Sequence, residues 1–257
     1  MSFIGEAVPL TVAGVNAAIS VADITLTHLW TIMSVETKGA GYLDDKRPVI
    51  LYERHIFHNL TGGEFSREAP DISSKAPGGY GQGGEHQYER LERAIALDRL
   101  AALKSTSWGL GQIMGTNCGV VSDGGVEDFV AECTHSEDLQ LMHIVNYIRN
   151  VPGALVALRD QQWAKFARLY NGPNYQKNSY DIKLKQDFYK WSGGPLPDLQ
   201  VRAAQIALRR LGYHPGTVDG FMGRMTISAL HEFQADSSIP ARGTLNSQTL
   251  ELLGVRI

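Results

Sequence analysis

Cysteine is scarce. Cys118 and Cys133 are the only two in 257 residues, too few for a disulfide framework or a four-ligand zinc centre, and they read as buried free thiols. Basic residues are not in excess: 24 Lys and Arg against 27 Asp and Glu leave a formal net charge of −3. A nucleic-acid binder carries a basic excess, so that class is set aside. No stretch approaches the ~20 consecutive apolar residues of a membrane span, so stable membrane insertion is not expected. Residues 1–20 contain no Lys or Arg, carry Glu6 and are broken by Pro9 and Gly14. A secretory signal needs a positive n-region, so the chain is expected to be made in the cytoplasm without its own export address. His55-Ile-Phe-His58 places two histidines at i and i+3, but no HExxH pattern exists and no metal is expected. Gly78-Gly-Tyr-Gly-Gln-Gly-Gly84 is interrupted by Tyr80 and Gln82 and precedes no GKS or GKT, which argues against phosphate binding. A Gly-x-Ser-x-Gly nucleophile elbow is missing as well. No cofactor is called for, and a monomer is expected.

What remains is ordinary globular composition, 43% hydrophobic and 20% charged. Ser192-Gly-Gly-Pro-Leu-Pro-Asp198 cannot continue a helix and marks a boundary, giving units of 1–194 and 195–257. Ala22, Leu26, Leu29, Met33 and Glu36 fall on one helical face, and Lys38-Gly-Ala-Gly41 ends that helix. Arg47-Pro-Val-Ile-Leu-Tyr-Glu53 reads as a strand, and residues 73–84 as a glycine-rich loop. Residues 85–104 read as a charged amphipathic helix with Leu91, Ile95, Leu97, Leu100 and Leu103 on its apolar side. Three more helices are expected over 126–150, 153–170 and 178–191. The last unit reads as three short helices with an internal echo, Val218-Asp-Gly to Thr226 against Ala241-Arg-Gly to Thr249. The expected class is mainly α, with one small β region and a separate three-helix bundle.

Glu36 is the leading candidate for chemistry. A carboxylate continuing an apolar stripe is partly desolvated, which favours its protonated form and equips it as a general acid. The alternative is a helix-end glutamate turned to solvent. Glu53 follows an apolar run and is either a second carboxylate acting on water or an ion-pair partner of Arg54 or Arg47. In Ser105-Thr-Ser-Trp-Gly-Leu-Gly-Gln-Ile-Met-Gly-Thr-Asn117, small residues such as Ser107 let a ligand approach the backbone. Trp108 there offers a face to a sugar ring and Gln112 an amide donor and acceptor; the alternative is a tight turn between helices. Tyr170 either stays in the core or points its hydroxyl into a cleft.

Val35-Glu-Thr-Lys-Gly-Ala-Gly-Tyr42, Trp108-Gly-Leu-Gly-Gln-Ile-Met114 and Leu169-Tyr-Asn-Gly-Pro173 occur in the order that resembles the goose-type lysozyme and soluble lytic transglycosylase superfamily. With Arg47-Pro-Val-Ile-Leu-Tyr-Glu-Arg-His-Ile-Phe57, residues 15–192 resemble the bacteriophage N-acetylmuramidase endolysins. Residues 198–256, with Leu208-Arg-Arg-Leu-Gly-Tyr213 and Val218-Asp-Gly220, resemble the three-helix peptidoglycan-binding module of wall hydrolases. The resemblance implies a lysozyme-like fold, peptidoglycan as partner and substrate, and cleavage of its β-1,4 muramic-acid–glucosamine bond. By the same resemblance Glu36 is the general acid, Gln112 lines the sugar cleft, and Tyr170 and Asn171 form the pair beside the acid. Glu53 matches a glutamate recurring in the phage branch, while Asp44 and Asp45 are further candidates for the base. A lytic transglycosylase or a non-catalytic wall-binding virion protein is the rival expectation. Tyr213 and Phe221 are candidate wall contacts, or core residues. The module is expected to tether the enzyme to its insoluble substrate. Action would follow release from the host cytoplasm through a permeabilised membrane.

Overall fold

The computed structural model describes residues 3–36, 39–173 and 175–255, Glu36 by its backbone alone. It is mainly helical with one three-stranded antiparallel sheet. The stripe across residues 22–36 is split between two helices. α1 (Val12–Ala22) stops at Asp23, whose left-handed backbone (φ 49°) redirects the chain, and α2 (Leu26–Glu36) starts afresh. Within α2, Leu29 and Met33 are buried, while Leu26, expected on the same stripe, lies exposed in the first turn.

β1 (Ile50–Tyr52) is the expected strand. Directly after it, Glu53 precedes a short helix, α3 (Arg54–Leu60), that the sequence reading did not contain. The helix expected over 85–104 is two: α4 (His86–Leu97) and α5 (Arg99–Lys104), parted by Asp98, whose carboxylate accepts from the Ala101 amide. The break rotates the apolar face, so Leu91 and Leu103 are buried while Leu97 and Leu100 lie exposed. The 105–117 run, whose alternative reading is a tight turn, holds β2 (Thr106–Trp108) and β3 (Ile113–Met114). β1 pairs with β2, setting Leu51 opposite Ser107, and β2 pairs with β3, setting Trp108 opposite Ile113. Gly109 (φ 67°) makes the turn between them, and a Cβ there would strike the Gln140 side chain at 2.5 Å.

The remaining helices of this unit are α6 (Cys118–Val121), α7 (Val126–His135), α8 (Glu137–Asn150), α9 (Ala154–Arg159), α10 (Trp163–Asn171) and α11 (Tyr180–Gly193). Ser136 splits the expected 126–150 helix by capping α8, its hydroxyl accepting from the Leu139 amide. α11 lies along α2, with the Trp191 indole donating to Ser34 Oγ at 3.0 Å.

α12 (Leu199–Arg210), α13 (Arg224–Asp236) and α14 (Ser247–Leu252) form the last unit. The sequence echo has a physical basis in two buried glutamines. Gln205 accepts from the Asp219 and Gly220 amides and donates to Thr226 Oγ1. Gln234 repeats this with Arg242, Gly243 and Thr249. Each glutamine ties a glycine turn to the helix that follows it. Among the described residues no single helix is long and apolar enough to cross a membrane.

Candidate functional site

Hydrogen bonds gather three separated stretches around the end of α2. The Gly41 carbonyl accepts from Val49 N at 2.8 Å, and the Val49 carbonyl accepts from Gly109 N at 2.8 Å and Gln112 Nε2 at 2.9 Å. α8 supports this frame from beneath. Glu137 Oε1 accepts from Gly41 N at 2.7 Å, and Gln140 Oε1 accepts from Leu110 N at 2.7 Å. Glu36 is the last residue of α2, just ahead of this frame; its carboxylate lies outside the described residues.

Glu53 sits where β1 passes into α3. Its amide donates to the Ser105 carbonyl, and its carboxylate makes no capping bond, so the side chain is left for other work. That side chain is 15% exposed, with Oε2 3.1 Å from His55 Nδ1. The side chain beside it is thus the His55 ring; Arg47 pairs with Asp45 at 2.6 Å instead. Over Glu53 comes Tyr80, from the glycine-rich loop, its hydroxyl donating toward the carboxylate. Burial, then the Glu53 charge, push the Tyr80 phenol up, so it stays a donor at neutral pH. The loop is held in place by Gln87, fully buried on α4, which donates to the carbonyls of Tyr80 and Gln82 and accepts from Tyr52 N. Tyr80 was missed as a site residue. Its signal was there: one aromatic among five glycines over residues 78–84.

Several sequence expectations change. Trp108 offers no face to a sugar: it is 1% exposed, packs 5.5 Å from the Phe3 ring, and its indole donates to the Leu103 carbonyl. Ser107 is buried and donates to Gln112 Oε1 at 2.9 Å. Gln112, in a left-handed conformation (φ 49°), donates to Val49 and Gly109. Both ends of its amide are engaged, so Ser107 and Gln112 brace the hairpin. Tyr170, on α10, is half-buried, stacked 5.6 Å from Phe166 and edge-on to Tyr147, with its hydroxyl oxygen turned inward; Asn171 closes the same helix. Asp44 and Asp45 are taken up in ion pairs with Arg209 and Arg47.

A line of Cys133, His143 and Glu132 resembles an activated thiol, with Sγ 3.7 Å from Nδ1 and Nε2 2.7 Å from Oε2. Cys133 and His143 are sealed in the core, and burial pushes the Cys133 thiol well up, so no thiolate is available there. Cys118 is also a buried free thiol. Among the described residues no group of His, Cys, Asp or Glu could hold a metal ion.

In the last unit, Tyr213 bonds Asp236 and meets Phe233 edge-on. Phe221 is turned toward the larger unit and stacks on Trp191, with centroids 6.1 Å apart, so it is an interdomain contact and not an open platform. Arg202, on α12, reaches across the same junction to a fully buried Glu137.

Residues 25–192 match the family model described as N-acetylmuramidase, and residues 197–253 the one described as a putative peptidoglycan binding domain. The two matches meet within the Gly- and Pro-rich stretch. Among solved structures, the endolysin of Burkholderia phage AP3 is similar at 39% identity, covering 71% of this chain and 70% of that one, with a TM-score of 0.67. Among curated proteins nothing matches.

Proposed function

The chain belongs to the N-acetylmuramidase family, and on that footing we propose that it hydrolyses the β-1,4 bond between N-acetylmuramic acid and N-acetylglucosamine, with Glu36 as general acid. Its two family matches and its endolysin neighbour make it a peptidoglycan-lytic enzyme of endolysin type. The finer reading rests above all on the frame that brings residues 39–41, 49–53 and 107–112 together at the end of α2.

In this mechanism Glu36 gives its proton to the glycosidic oxygen as the bond to the anomeric carbon breaks. Water adds to that carbon and passes a proton to Glu53, whose carboxylate lies between Tyr80 and His55. General acid catalysis of this kind supplies roughly 10²–10⁴ in rate. The last unit keeps the enzyme on the insoluble wall, adding avidity without new chemistry. On this reading the enzyme reaches peptidoglycan from the host cytoplasm once the membrane has been permeabilised.

The test is a digest of purified peptidoglycan with wild type and Glu36→Gln. Mass spectrometry of the wild-type digest should find reducing muramic-acid ends carrying one added water per cut, and the variant should release none. Anhydro ends in the wild-type digest, or full release by Glu36→Gln, would overturn the proposal.

A further inference from the structure

The junction between the two units is built around one buried charge pair. Glu137 is fully buried at the start of α8, and Arg202 from α12 is almost as deeply buried. The guanidinium forks onto the carboxylate, Nη1 to Oε2 and Nη2 to Oε1 at 2.8 Å. Nη2 also donates to the Gly39 carbonyl at 2.5 Å. The same carboxylate accepts from Gly41 N and Leu10 N. Burial alone would push the Glu137 carboxyl up; the Arg202 charge and these donors overcome that and hold it below its ordinary range, so it stays ionised. Arg202 and Glu137 together thus grip residues 39 and 41, three and five positions beyond Glu36, the last residue of α2. The turn around Val218 presses on the same place. Gly39 has φ 95°, and a Cβ on it would lie 2.8 Å from the Val218 carbonyl.

We infer that Arg202 is a positioning residue for the catalytic acid: the wall-binding unit completes the support of residues 39–41 and so sets where Glu36 stands. This rests on Glu36 being the acid. It changes the role of the last unit, which acts on the chemical step as well as tethering the enzyme. Displacing a reacting group by about 1 Å can cost ~10²-fold in rate.

The experiment uses the full-length chain and soluble, uncrosslinked glycan strands, a substrate that makes tethering irrelevant. Arg202→Met should lower kcat at least tenfold with KM within twofold of wild type. Arg202→Lys, which keeps the charge but cannot fork to both Glu137 and Gly39, should fall between the two. Gly39→Ala strains the backbone at φ 95° and strikes the Val218 carbonyl, so it disturbs the same junction without removing a charge and should reproduce the loss in kcat. Arg209→Ala, which breaks an exposed interdomain pair with Asp44, should leave kcat unchanged. Should Arg202→Met fail to fold, Gly39→Ala alone decides. Wild-type kcat in folded Gly39→Ala or Arg202→Met overturns the inference, as does an equal loss in Arg209→Ala. Glu36→Gln in the same assay separates the two claims. If it is active, the general-acid reading has failed; if it is inactive beside an unimpaired Gly39→Ala, only the role of Arg202 has.

Discussion

Replacing Trp108 by alanine discriminates the two roles open to the 105–117 segment. The ring is 1% exposed, lies 5.5 Å from Phe3 and donates its indole N–H to the Leu103 carbonyl. Removing a core tryptophan costs roughly 3–5 kcal/mol through lost transfer free energy and an unfilled cavity. In a chain of this size each kcal/mol lowers the midpoint by about 2–4 °C, so Trp108→Ala should melt roughly 6–20 °C earlier. Trp108→Phe keeps most of the apolar volume and loses the indole bond, about 1 kcal/mol net, plus a small cavity term. It should therefore fall between the two. Thermal unfolding followed by near-UV circular dichroism reads the stability. KM for glycan strands, measured below the transition, should stay near wild type in both variants. A sugar platform predicts the reverse, a raised KM with an unchanged melting point, and that result would refute the core assignment.

Two further outcomes follow from the same geometry. Glu53→Gln should lower kcat by roughly 10²–10⁴-fold with little change in KM; an active variant would remove Glu53 from the chemistry. His143 is held below its usual value of 6.5 by burial, only partly offset by its bond to Glu132. The folded state therefore binds fewer protons than the unfolded one just below pH 6.5, and stability rises with pH across that window. Denaturant midpoints should fall as the pH drops from 6.5 through the lowered value, and His143→Gln should flatten that slope. An unchanged slope would show that another group is responsible.

The sequence made the periodic elements legible and left the interruptions hidden. The stripe through Leu29 and Met33 and the strand before Glu53 are local patterns, readable from spacing. Asp98 and Ser136 are strong caps, but each sits inside an apolar rhythm that runs on past it, so each pair of helices reads as one. That error placed Leu97 and Leu100 in the core, where a new helix axis turns them outward. Trp108 and Gln112 lie in a motif whose composition suits a sugar cleft. Their partners Phe3 and Val49 are far away in sequence, and only long-range packing shows that both brace the fold. Tyr80 escaped because the glycines around it draw attention to what the loop lacks. The echo between residues 218–226 and 241–249 was readable; the buried glutamines that cause it were not, because each lies in the helix before its turn.

The contact between the two units shows why a buried ion pair stands where apolar packing would hold equally well. Desolvating both charges largely offsets their attraction, so a pair such as Arg202–Glu137 adds little net stability over hydrophobic residues of similar volume. Adhesion is already supplied at this junction by Ala40, Ile206 and Val218, and by Phe221 on Trp191. What apolar surfaces do not supply is register, because greasy faces can slide past one another at small cost. A planar fork fixes both distance and direction. Here it acts on a carboxylate that itself holds the Gly41 amide, while its second nitrogen holds the Gly39 carbonyl. A slip at this interface would leave a fully buried carboxylate short of donors, a heavy penalty that makes one relative placement the only comfortable one. On the proposed assignment of Glu36 as the acid, that placement also holds the backbone at residues 39 and 41, three and five residues past the end of α2.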